Sequence, residues 1–269
     1  MQYEHFDCDI RDGAARLHLL GPGNPRTPDL ADEFVDLMLR LQDDAAVRVI
    51  LIGDGEHACD LQPDLDQVTR DRTEDGGFET VAAGLEVAQR LVTMIQECAK
   101  PVICATRGDI RATGLGFYMA ADIRLASSTA SFTAPDLASG LMPDWGLTFT
   151  LPRVLGPGRA LEFLWSGRTL GAAEAFEAGL VDRVIADAAW EAEIENLLVR
   201  MAQPLVRLTK LAAQQSGQFD LTSMLSFEFE AQQQCWDSRE TGECLQAWQE
   251  NRPPVLHAPT SSVDQEDDR

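Results

Sequence analysis

The residues with chemical promise gather between Lys100 and Gly158, in KPVICATRGDIRATGLGFYMAADIRLASSTASFTAPDLASGLMPDWGLTFTLPRVLGPG. An apolar strand runs into a Gly-containing turn. A helix of small residues follows, then a second strand and a Pro-Asp-Trp-Gly turn. This succession brings the backbone amides of a helix N-terminus and one carboxylate towards the same cavity. Amides placed so stabilise negative charge on a carbonyl oxygen, and a carboxylate beside them can carry a proton; together they suit an enolate.

Other chemistries find less support in the chain. His57 lies in the loop after the strand at 47–52 and, as a general base, would take Asp60 or Asp64 as its partner; the alternative is a plain surface-loop histidine. His5, His18 and His257 stand near the chain ends, which leaves no Ser or Cys with an evident histidine partner for nucleophilic hydrolysis. GDG and GLG, at 53–55 and 114–116, lack the third glycine of a dinucleotide fingerprint, so no nicotinamide cofactor is expected. Cysteines 8, 59, 98, 104, 235 and 244 form no Cys-x-x-Cys pair, and neither a disulfide nor a metal site is expected. Twenty-two basic against forty-four acidic side chains give a net charge of −22, a field that repels nucleic acid and anionic membranes. The N-terminus has no apolar run after a basic start and no window reaches the length of a membrane span, so a cytoplasmic protein is expected.

A chain of 269 residues can bury one sizeable core, and a single domain with a C-terminal helical extension is the expected organisation. Ala15 to Leu20 alternates as a strand, broken by GPGNPRTP. Asp29 to Gln42 places Leu30, Phe34, Leu37, Met38 and Leu41 at helical spacing, and Val47 to Ile52 is a buried type of strand. Strand, helix, strand in this order predicts a parallel or mixed sheet covered by helices. Residues 69 to 78 read as a polar loop and Val81 to Ala99 as a long amphipathic helix. Beyond the central segment, 160–165 and 172–178 are helical with Gly179 as terminator, Val181 to Ile185 is a short strand, and Trp190 to about Asn251 is helical. SSVDQEDDR ends the chain as a solvated acidic tail.

Residues 10 to 254 together resemble the crotonase superfamily, the enoyl-CoA hydratase/isomerase family. Beside the central segment, VRVILIGDGEHAC is similar to the strand entering that family's first oxyanion loop. LWSGRTLGAAEAFEAGLVDRVI resembles its helix pair after the site, and WDSRETGECLQAWQENRPP its C-terminal helix over acyl-CoA. The fold this implies is α/β, the crotonase (ClpP-like) spiral of ββα units. Its core would cover 1–195, a helical trimerisation or lid region 196–255, and a disordered acidic tail 256–269. The resemblance further implies a homotrimer or a dimer of trimers, and a coenzyme A thioester as substrate with no cofactor. A few local Arg or Lys residues would have to hold the CoA phosphates against the negative field.

Site residues follow from the same resemblance. Two backbone N–H groups in the family polarise the thioester carbonyl and hold its enolate. GEHACDLQPD, laid on the Phe-x-Ala-Gly-x-Asp loop, puts Gln62 at the Gly and Pro63 at the donor position. Proline has no N–H, so this half of the hole is lost unless an offset by one makes Gln62 the donor. A lost donor costs on the order of 3 kcal/mol of transition-state stabilisation. Ala112-Thr113-Gly114 matches the second donor turn, with Thr113 as donor and the helix dipole behind it; otherwise these small residues serve close packing. The family's two water-activating glutamates fall on Gly116 and Asp136. A third carboxylate position, used in isomerase and dehalogenase branches, falls on Asp144. Its tight turn beside Trp145 would raise its pKa and let it shuttle a proton, the structural alternative being an Asx-type turn bond. His57, Asp64, Trp145 and Gly116 are the expected substrate contacts. Double-bond isomerisation by Asp144 assisted by Asp136 is the expected reaction. The alternatives are C–C bond hydrolysis of a β-dicarbonyl compound and a catalytically impaired binding or assembly subunit.

Overall fold

A computed structural model of the chain describes residues 3–20, 28–53, 69–70, 72–73, 77–135, 137, 140–252 and 254–255. Strands β1 (Phe6–Arg11) and β2 (Ala14–Leu19) form an antiparallel hairpin. Asp12 and Gly13 join them with φ of 50° and 81°, the left-handed pair that a two-residue hairpin turn matched to strand twist requires. Alternation had signalled only the second of these strands; Asp-Gly was the available sign of the first.

The chain continues through α1 (Pro28–Asp43), β3 (Val49–Gly53), α2 (Gly77–Gln96), β4 (Val102–Thr106), β5 (Asp109–Arg111), α3 (Ala112–Met119), β6 (Ile123–Ser127) and β7 (Ser131–Thr133). It then forms α4 (Leu147–Leu155), α5 (Pro157–Ser166), β8 (Thr169–Gly171), α6 (Ala172–Ala178) and β9 (Arg183–Ile185). Four helices close it: α7 (Trp190–Met201), α8 (Pro204–Gln215), α9 (Leu221–Trp236) and α10 (Arg239–Gln249). One sheet has the order β1-β2-β3-β4-β6-β9 and is parallel beyond the hairpin. A small second sheet has the order β5-β7-β8. The stretch expected as a loop at 69–78 differs: 69–70 and 72–73 are helical and α2 already begins at Gly77. Its charged composition carries no apolar period, so periodicity could not reveal a helix there.

Alternation along the central strands splits the core in two. Ile50, Ile52, Val102, Cys104 and Ala126 join the larger cluster with Phe34, Leu37 and Met38 of α1, Leu91 and Ile95 of α2, and α3. Val49, Leu51, Ile103, Ala105 and Leu125 pack with Trp190, Ile194, Leu197 and Leu198 of α7. Each fully buried Val, Leu, Ile, Phe or Met among them contributes roughly 1.5–3 kcal/mol. Burial on both faces explains why these strands read as unbroken apolar runs. The polar side of α7 pairs with Arg16 of β2 through Glu195, with Arg183 of β9 through Glu193, and with Arg107 just past β4 through Glu191.

Helices α8 to α10 lie outside this core: α9 buries no residue and α10 only Ala247. Polar ties hold them. Lys210 Nζ of α8 stands 2.6 Å from Asp122 Oδ2 and donates to Lys100 O at 3.0 Å, and Arg48 donates to Glu240 at the start of α10 at 3.0 Å. Among the described residues, no helix is long and apolar enough to cross a membrane.

Candidate active site

The site is built from the helix start that follows β4. That strand ends at the buried Thr106, whose Oγ1 accepts from Gly108 N–H at 3.2 Å. After β5, α3 leaves an extended Arg111 (φ −131°, ψ 148°) and begins at Ala112, which has φ of 43°. That left-handed conformation costs a residue with a Cβ roughly 1–2 kcal/mol. Every residue from Thr113 to Met119 is buried, which is why the helix is apolar all round and short of charge. No side chain among the described residues caps its start. Among the described residues, then, no capping side chain competes for the first-turn N–H groups of Thr113 and Gly114, which are suited to hold an oxyanion.

A strained turn faces this helix. Trp145 and Gly146 both take left-handed φ, 52° and 74°. Backbone bonds close the turn: Leu147 N–H donates to Asp144 O at 3.1 Å, and Phe149 and Thr150 N–H donate to Gly146 O at 3.0 and 2.9 Å. Helix α4 thus grows directly out of it. The buried Trp145 ring stands edge-on to Phe117, centroids 6.4 Å apart and planes at 70°. Phe117 in turn meets Phe34 at 5.5 Å, and Phe34 meets Phe6 at 5.5 Å.

Turn and helix meet at Gly116. A Cβ placed on Gly116 would lie 2.3 Å from Trp145 Cβ and 2.6 Å from Trp145 O, so only glycine fits. Asp144, half-buried, adjoins that contact, and Thr113 stands three residues earlier on α3, about 4.5 Å along its axis. The non-glycine residues with positive φ among those described are Asp12, Ala112, Trp145 and Asn251. Asp and Asn tolerate that region, whereas Ala and Trp do not, and the latter two both flank this site. Such outliers persist where the surroundings over-determine the backbone, as at active sites.

Of the residues expected from sequence, Thr113, Gly114 and Gly116 lie on α3, and Asp144 and Trp145 lie in the turn that meets it at the Gly116–Trp145 contact. Gln62, Pro63, Asp64, His57 and Asp136 lie outside the described residues. Gly116 and Trp145, expected as substrate contacts, contact each other. Sequence reasoning placed Ala112 in the donor turn but missed its left-handed conformation, of which alanine gives no sign, and it missed Phe117, which reads as one more core aromatic. An apolar cavity of about 10 Å³ lies behind Phe117, where β3 ends at Gly53, walled also by Phe6, Leu17, Leu30 and Leu91. A groove of about 750 Å³ between α8, α9 and α10, lined by Leu205, Phe227, Cys235 and Leu245 among others, includes none of the site residues.

Comparison with known proteins adds to this geometry. The model of the enoyl-CoA hydratase/isomerase family matches residues 11–258. A crotonyl-CoA hydratase of Syntrophomonas wolfei is 30% identical over 258 residues, covering 94% of this chain and 97% of the relative. A 4-chlorobenzoyl coenzyme A dehalogenase of Arthrobacter is 28% identical over 203 residues, 74% of this chain and 72% of its own. The crystal structure of an enoyl-CoA hydratase from Bacillus anthracis superposes with a TM-score of 0.79 at 27% identity, covering 95% of this chain and all of that one (100%).

Proposed function

The chain belongs to the enoyl-CoA hydratase/isomerase family of the crotonase superfamily, and from that premise we propose that it moves a double bond in an acyl-CoA thioester, with Asp144 as proton carrier. The carrying observation is the seat of the Asp144-Trp145 turn on Gly116. It supports a reading in which the Asp144 carboxylate would stand near the helix start whose amides would hold the enolate oxygen. It also fills the space in which the first water-activating carboxylate would have to stand. The thioester carbonyl would accept from Thr113 N–H, and Asp144 would take a proton from carbon. The enolate so formed would regain that proton at the other end of the conjugated system. No water enters the balance. Hydration and dehalogenation both appear among the names of the relatives, so family membership alone does not choose the reaction.

Turnover of a panel of 2-enoyl-, 3-enoyl- and dienoyl-CoA esters tests the reading. Isomers are expected as products; a 3-hydroxyacyl-CoA formed faster than any isomer would replace it with hydration.

The assembly is part of the same proposal. Leu221, Leu225, Phe229 and Trp236 follow one face of α9 and are 55% to 75% exposed, an apolar stripe that a soluble monomer rarely leaves in water. Further copies of the chain, in a homotrimer or a dimer of trimers, would cover it. Light scattering at micromolar concentration is expected to give three or six times the chain mass, and a monomer would contradict this.

A further inference from the structure

We propose that Gly116 is a positioning residue: by lacking a side chain it seats the Asp144-Trp145 turn on α3 and so sets where the Asp144 carboxylate stands. This rests on Asp144 being the proton carrier. Ordinary van der Waals contact begins near 3.4 Å, whereas the nearest approach to a Cβ on Gly116 is 2.3 Å, so a methyl group there must move something by about 1 Å. The obstructing atoms are Cβ, O and C of Trp145, which no side-chain rotation can take away. The turn has little room to yield elsewhere. Its ring is held against Phe117, Gly146 lies close to Val92 of α2, and Gly146 O carries the first bonds of α4. The displacement therefore passes to the backbone on which Asp144 sits. A misplacement of about 1 Å at a reacting group can cost roughly a hundredfold in rate. A glycine needed only for packing would show its loss in stability instead.

The test is a double-mutant cycle. Gly116→Ala is expected to lower kcat about a hundredfold with KM within about threefold, since binding groups stay in place while the proton carrier moves. In an Asp144→Asn background the same change is expected to alter the residual kcat by less than about threefold, because the group to be positioned is gone. A folded Gly116→Ala enzyme with near wild-type kcat overturns the proposal, and so does an equal loss in both backgrounds. Should Gly116→Ala fail to fold, Phe117→Leu keeps the glycine but removes the aromatic edge under Trp145. It is expected to lower kcat about tenfold at unchanged KM, again only when Asp144 is present; no change in kcat overturns the proposal. Full activity in Asp144→Asn alone would sink the proton-carrier reading itself, a failure visible without any change at Gly116.

Discussion

Asp144→Asn is expected to remove at least about 99% of isomerase activity, the hundredfold or more contributed by a positioned general acid/base group, while the protein stays folded. The turn is closed through backbone atoms, Leu147 N–H to Asp144 O and the Gly146 carbonyl to the first turn of α4. The Trp145 ring is held by Phe117. Asparagine has the shape of aspartate and keeps all of these. The Thr113 end of the site is unchanged as well, so KM should move little and the loss should lie in kcat. Asp136→Asn should be the milder change. Steady-state kinetics on the best substrate of the enoyl-CoA panel, with a thermal melt beside them, checks this. A folded and fully active Asp144→Asn enzyme would end the isomerase reading, and an unfolded one would leave Asp144 only a turn-forming role.

Gly116 marks the boundary of what the sequence could show. That a carboxylate is missing there was legible, because a residue type is. Why glycine stands there was not, because the cause is Trp145, distant in sequence and brought close only by the fold. The same division holds elsewhere. The strands around Leu51 and Ile103 were legible because burial on both faces makes them continuous apolar runs. The three-residue strands β5, β7 and β8 are too short to establish an alternation. The helical residues at 69–70 and 72–73 escaped because their side chains are polar and show no apolar period. At Ala112 a left-handed φ of 43° is imposed on a residue that does not prefer it, so no propensity argument could find it.

The two lysines of the chain, Lys100 and Lys210, point to the second large effect. Lys210→Met is expected to cost on the order of 3 kcal/mol, the usual loss when one partner of a buried ion pair is removed. The Lys210 side chain is 7% exposed and its Nζ is 2.6 Å from Asp122 Oδ2. Asp122 accepts from Val102 N–H at 2.8 Å, and without the lysine its charge would lose its main compensation. Burial already holds the Asp122 carboxyl above the ordinary carboxylate range, with Lys210 the largest opposing influence. A raised folded pKa means that the folded state keeps its proton longer, so stability falls as pH rises from the ordinary carboxylate value through the folded one. Removing Lys210 pushes the folded value higher and widens that window. The penalty of Lys210→Met should therefore be complete at neutral pH and shrink in acid, where Asp122 is protonated and no charge is orphaned. Lys210→Met combined with Asp122→Asn should recover most of the loss, since neither member then remains charged. Urea unfolding at pH 7.5 and pH 5 checks both points. A loss equal at the two pH values, and not relieved by Asp122→Asn, would mean that α8 is held by the packing of the lysine stem and not by its charge.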